Sequence, residues 1–470
     1  MQKAAAHISA ILKRILFIGI SVQTILGIVW ICCNFPNIPQ FGESFYYMQL
    51  GRTLQCDEYT GILYPFFLRI VRNNHYVVYV LQLTAAYAAA NRFLSVFSQV
   101  KRGWRIWACL AFLTMPVVMQ CHAAVLPCSF AASLLLLELT LLIEAVRDPE
   151  KHTLKKMAEL SLCWLALSML LPEYLYLGAV PVLLFYLSGL FRWWKQGGRR
   201  AYGFLLIAVF AGMILSINSL TQTEGAYGRL KKTPLMTLTQ RISWTSMLLE
   251  YEKWPDEIVY YADKETVLES TLYADAMDQL FFPAIEHAVE EQLISAEQAN
   301  EYYMTLIDAA LRLHKSVILK QMAWDALGYG ASPAILQAFL AGKGYDSYSG
   351  RNYEIFLEYT PKLSKLYMDY GSWWFAAMLV SALILHILQL SCSTFEIKKK
   401  TVKWVFCCLL TVGIMALWYT MRGAGMLDYK NTILIDELWT ACAVLPLGRN
   451  AITLDKTKFG GKDLCSEQST

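Results

Sequence analysis

Apolar runs of about 18 to 24 residues recur along this chain, and each could cross about 30 Å of hydrocarbon at 1.5 Å per residue. That recurrence leaves few folds open, because inside a bilayer only helices and closed barrels satisfy their own backbone. Runs at 14–33, 75–98, 105–121, 124–146, 157–172, 174–193, 201–220, 372–391, 403–421 and 431–448 predict about ten transmembrane helices. Pro172-Glu173 interrupts one long apolar stretch, as a kink or a hairpin. Composition agrees: 56% of the residues are hydrophobic and 17% charged, against about 25% charged in a soluble domain. The expected fold is all-α, a polytopic integral membrane protein.

Basic residues set the orientation. Lys3, Lys13 and Arg14 precede the first run, and Lys101, Arg102 and Arg105 follow the second. Arg147, Lys151, Lys155 and Lys156 follow the fourth, and the alternation continues through Arg192 to Arg200, Lys398 to Lys403 and Arg449 to Lys462. By the positive-inside rule these loops and both termini are cytoplasmic, in a multi-pass protein of the plasma membrane. The amino-terminal stretch reads as an uncleaved first helix rather than a signal peptide. The net charge of +4 sums two faces and implies no nucleic-acid partner. Three parts follow: a transmembrane module over 1–220, an extracytoplasmic helical domain over 221–371, and carboxy-terminal helices with a cytoplasmic tail over 372–470.

Most of the 12 cysteines fall inside spans, where a thiol behaves as a small apolar group. None has zinc spacing. Cys56 and Cys121 both map to the outer side; a disulfide between them is open to the sequence, and unpaired thiols are the preferred reading. In the outer domain, Ile285, Val289 and Leu293 recur at helical spacing, as do Tyr303, Leu306, Ile307, Ala310 and Leu311. Ser295 with Gln298 predicts a capping box between these two helices. The domain carries no phosphate loop or metal motif and reads as a cover or acceptor-docking element.

The first outer loop holds most of the chemistry. After Phe35-Pro36, Gly42-Glu43-Ser44 starts a helix of about ten residues, with Ser44 as its cap, too short to span and suited to the interface. Pro65 suits the first turn of a second, from Tyr64 to Arg72. The loop thus presents a carboxylate beside Arg52, Arg69 and Arg72. Near the other end of the chain, Arg422 precedes Asp428-Tyr429-Lys430, basic residues on the outer side against the usual trend.

Glu43, Tyr46 or Tyr47, and the Tyr64-Pro65 step, together with Asp428-Tyr429-Lys430, resemble the pattern of the GT-C superfamily. These are multi-spanning glycosyltransferases that use polyprenyl-phosphate-linked sugars, among them protein O-mannosyltransferases and lipid A aminoarabinose transferases. The likeness covers the membrane part and not the outer domain. It departs in one place: the family usually has Asp, often paired, where this chain has Glu43 followed by Ser44. The resemblance implies transfer of a sugar to a cell-envelope glycan, lipid or protein on the extracytoplasmic face. A carboxylate takes the acceptor proton and cations stabilise the leaving phosphate, which makes Glu43 the candidate base. Arg422 and Lys430, with Arg52 or Arg69, are candidate phosphate partners, and Tyr46, Tyr64 and Tyr429 candidate sugar contacts. His122, Glu173 and Asp428 are secondary candidates. No cofactor beyond the lipid-linked donor is implied, and metal dependence stays open.

Other readings compete. Glu43 would equally suit a helix N-terminus. For His122 and Glu173 a plain loop role is the preferred reading, since a lone polar residue in a short outer loop needs no special function. Asp436, Glu437 and Glu138, inside spans, read as structural partners facing the bundle interior, or as coupling sites if the chain is a transporter or flippase. An envelope-polymer polymerase or ligase, or a non-catalytic GT-C descendant, would share the overall shape.

Overall fold

A computed structural model describes residues 2–34, 42–54, 61–96, 102–147, 154–171, 371–391, 409–415 and 433–448, with short pieces between 174 and 316. All the regular structure among these residues is helical. The elements are α1 (Gln2–Asn34), α2 (Gly42–Thr53), α3 (Leu63–Ile70), α4 (His75–Ser95), α5 (Arg102–Leu113), α6 (Pro116–Ala123), α7 (Pro127–Arg147), α8 (Leu154–Leu170), α9 (Gly371–Ser391) and α10 (Ile433–Gly448). Among the described residues two stretches, His7–Cys33 and Pro127–Glu144, are long and apolar enough to cross a membrane. The predicted spans 174–193 and 201–220, most of 403–421 and nearly all of the outer domain lie outside the described residues.

Three local expectations need correction. The run 105–121 is not one helix: it divides into α5 and α6 at Thr114-Met115, because Pro116 has no N–H to continue the ladder and suits the first turn of a new helix. Ser44 does not cap α2; the helix already includes Gly42, and Ser44 is buried inside it, its hydroxyl without a partner. Leu293 does not sit on a helix face. Gln292 adopts a left-handed φ of 61° and ends the helix there, leaving Leu293 exposed and burying Ile294 instead.

That stop has the hydrogen bonds of a Schellman motif: Leu293 N–H donates to Ala288 (2.9 Å) and Gln292 N–H to Val289 (3.1 Å). The next helix opens as expected. Ser295 N–H donates to Gln298 Oε1 (2.8 Å) and Gln298 N–H to Ser295 Oγ (3.1 Å), a reciprocal capping box. Because glycine occupies the left-handed region without the Cβ clash, Gln292→Gly is expected to stabilise this turn by up to about 1 kcal/mol. Hydrogen exchange at the amides of Leu293 and Ile294, slowed in the variant, checks it.

In the bundle α7 is central, packed on α4 and α8, with α10 against α5, α6 and α7 and α9 bridging α1 and α10. The α1–α9 contact is close. Gly19 offers its carbonyl to the Trp374 indole N–H (3.1 Å), and a Cβ on Gly19 would collide with the Met378 side chain. The exposed face of α1 is unlike that of a soluble protein: Ile8, Ile11, Ile15, Ile18, Val22, Ile25 and Val29 recur at three and four and are all exposed. On α9 the residues Val380, Leu383, Ile384 and Ile387 do the same. At the end of the bundle holding the α7–α8 connection, Glu144 of α7 is gripped by Arg92 of α4 and Lys156 of α8, so Arg92 has a protein partner.

Candidate functional site

The other end of the bundle gathers α2, α3, the first turns of α4, the α6–α7 turn and the start of α10. Its outer layer is the α2–α3 pair. Gly51 allows α2 to lie on α3, since a Cβ there would come within 2.7 Å of both Leu68 Cβ and Asn73 Oδ1. Asn73 Nδ2 donates to the Met48 carbonyl (3.0 Å), and Arg69 Nη1 to the Arg52 carbonyl (2.8 Å), which satisfies acceptors at the open end of α2. Arg72 and Asn73, both with left-handed φ, turn the chain sharply. Asn74 then caps α4 by accepting from Tyr76 and Val77 N–H. On the other side of α2, Gly61 reaches the end of α8, its N–H donating to the Leu170 carbonyl (3.0 Å).

Of the predicted site residues, Tyr46, Arg52 and Arg69 are exposed on this layer. Glu43 is the second residue of α2; its side chain lies outside the described residues, as do Glu173, Arg422, Asp428, Tyr429 and Lys430. Tyr64 is not at the surface. It is fully buried, edge-on to Tyr47 at 5.8 Å and to Phe130 of α7 at 6.4 Å. Burial, with Cys128, Tyr47 and Tyr79 nearby, pushes its pKa well above the usual phenol value. It is therefore a neutral hydrogen-bond donor at physiological pH.

That donor starts a buried polar chain that the sequence did not show. Tyr64 Oη donates to Gln82 Oε1 of α4 (3.1 Å). Gln82 Nε2 donates to two carbonyls of the α6–α7 turn, His122 (3.1 Å) and Ala124 (2.7 Å). The His122 ring, wholly buried, has Nδ1 2.8 Å from Ser129 Oγ of α7 and Nε2 3.1 Å from Glu437 Oε1 of α10. Both ring nitrogens are thereby occupied whichever tautomer is present. As expected, Glu437 faces the bundle interior, where it meets His122. His122 is not a loop residue but the last turn of α6, holding α7 and α10 together.

Gln82 was missed. The available signal was a lone amide two turns into an otherwise apolar helix, which is costly unless its donors and acceptor are used. Cys121, beside His122, is buried and forms no disulfide. Among the described residues no group of three or more His, Cys, Asp or Glu side chains is arranged to hold a metal. Chemically the exposed layer offers cations and an aromatic hydroxyl, while the buried chain fixes where that layer sits relative to α10. No protein-family model, curated protein or solved structure matches this chain.

Proposed function

We propose that the chain is a multi-pass membrane glycosyltransferase of GT-C type, moving a sugar from a polyprenyl-phosphate donor to a cell-envelope acceptor at the extracytoplasmic face. One observation carries this reading. The residues that resemble the family lie in two distant parts of the chain, the first loop and the segment before α10, and a buried hydrogen-bonded chain ties the first loop to α10 itself. Tyr64 of α3 connects through Gln82 to the α6–α7 turn, and His122 of that turn holds Glu437, one turn into α10. Lys430 is three residues before α10 begins. A phosphate partner there would sit at the same end of the bundle as α2.

The exposed isoleucine and valine stripe of α1, with that of α9, supports immersion in lipid, since a soluble surface rarely carries so continuous an apolar face. About ten spans, with cytoplasmic termini and the α2–α3 layer at the outer interface, follow from the basic loops. In this arrangement Glu43 takes the acceptor proton, and Arg52, Arg69, Arg422 and Lys430 supply the cations for the departing phosphate. Arg69 keeps further guanidinium donors beyond the one that holds the Arg52 carbonyl. Tyr46 and Tyr429 are sugar contacts; Tyr64, being buried, aligns α3 instead.

Turnover of a panel of radiolabelled polyprenyl-phosphate sugars by purified protein tests the proposal, with hydrolysis in the absence of acceptor counted as turnover. Glu43→Gln is expected to retain donor binding and lose at least about a hundredfold in rate, the scale of a lost general base. Equal rates in both would move the base elsewhere. Neither turnover nor donor binding would favour the transporter reading, for which the buried carboxylates of α7 and α10 are the supporting observation.

A further inference from the structure

Glu138 has no place in the chemistry above, and its surroundings are unusual. It lies in the middle of α7 with no exposed surface, and neither carboxyl oxygen has a hydrogen-bond partner. At 100° per residue it points away from the face of α7 that carries Ser129, Ser133, Thr140 and Glu144. It faces instead α8 and the short piece around Gly178. A Cβ on Gly178 would stand 3.5 Å from Oε1 and 2.8 Å from both Trp164 Cδ1 and Leu167 Cδ2. Among the described residues, the carboxyl group thus shares the space in front of Gly178 with an indole and a leucine.

Among the described residues, the charged and titratable groups near it do not offset a negative charge. On α8, Cys163 interacts electrostatically with Glu138 and with Glu159, and both of those are acids. The cations Arg92 and Lys156 are engaged with Glu144, two turns away. An ionised carboxylate without a partner in such a site costs several kcal/mol. A glutamine would fill the same volume with no charge to neutralise.

We infer that Glu138 is a proton-binding site in the interior of the bundle, between α7, α8 and Gly178. This site is independent of sugar transfer, and nothing in the α2–α3 layer is needed for it. A carboxyl group placed inside a membrane bundle without a counter-charge is the kind of group through which protons are taken up and released.

Dicyclohexylcarbodiimide tests the inference on the intact protein in its native membrane. The reagent enters apolar sites and adds to carboxylic acids only in their protonated form, giving an N-acylurea with no leaving group. The adduct mapped by mass spectrometry at neutral pH is expected on Glu138, and its signal is lost in Glu138→Gln. Infrared spectra provide a second readout that does not need the reagent to reach the site: the carbonyl band of a protonated acid, present in the wild type and missing in Glu138→Gln. Either signal supports the site. Absence of both from the wild-type protein overturns it, and an adduct suppressed by sodium or potassium salts would overturn the proton in favour of an alkali cation.

Discussion

His122→Ala is expected to lower stability by about 3 to 5 kcal/mol, the range for stripping one partner from a buried charged or hydrogen-bonded pair. Its imidazole is the only described contact of the Glu437 carboxyl, whose second oxygen already lacks a partner. Removing the ring leaves the whole carboxyl group unpaired in the bundle. Replacing both residues by apolar side chains of similar volume, His122→Leu with Glu437→Met, removes that penalty and is expected to recover most of the loss, because apolar replacement of a buried pair is commonly neutral or stabilising. Thermal or denaturant unfolding in detergent of the wild type, His122→Leu, Glu437→Met and the double variant gives the double-mutant cycle. Losses that simply add would show that His122 and Glu437 do not depend on each other.

Gln82→Leu is the second large effect. One amide serves three groups, the Tyr64 hydroxyl and the carbonyls of His122 and Ala124, and leucine of similar size serves none. Each buried group left unsatisfied costs about 1 to 3 kcal/mol, so a loss of about 3 kcal/mol or more is expected, much of it through loosening of the α6–α7 turn. Tyr64→Phe removes only one of the three bonds and should cost about 1 kcal/mol. The ordering of the two variants checks the assignment: if Tyr64→Phe were as damaging as Gln82→Leu, the two carbonyl contacts would contribute nothing.

The sequence makes the helices legible where apolar runs and local punctuation agree. Tyr64-Pro65 marks α3 within one residue, and the Ser295 and Gln298 pair marks a real helix start, because a capping box is complete within four residues. Local signals also mislead. Ser44 has the right chemistry for a cap, but packing of α2 on the bundle turns it inward. Pro116 lies inside an apolar run whose hydropathy is continuous across it, so the break in the helix leaves no trace in hydropathy.

For the site, His122 and Glu437 each stood out as polar residues in apolar surroundings. Their partnership joins positions 315 residues apart, and no spacing rule reaches that far. Gln82 was hidden for a different reason: its role is to serve main-chain carbonyls, and these have no sequence signature.

The distance between His122 and Glu437 along the chain has a consequence for how the protein is made. Synthesis delivers α1 through α8 first, so the imidazole waits with Ser129 at one nitrogen and no carboxylate at the other until α10 emerges. In the proposed membrane fold, α10 carries an acidic group into an apolar medium, at a cost that the earlier helices, once assembled, offset through His122. On that fold, assembly is ordered from the amino end, and a chain whose α6 and α7 have not come together will hold α10 poorly.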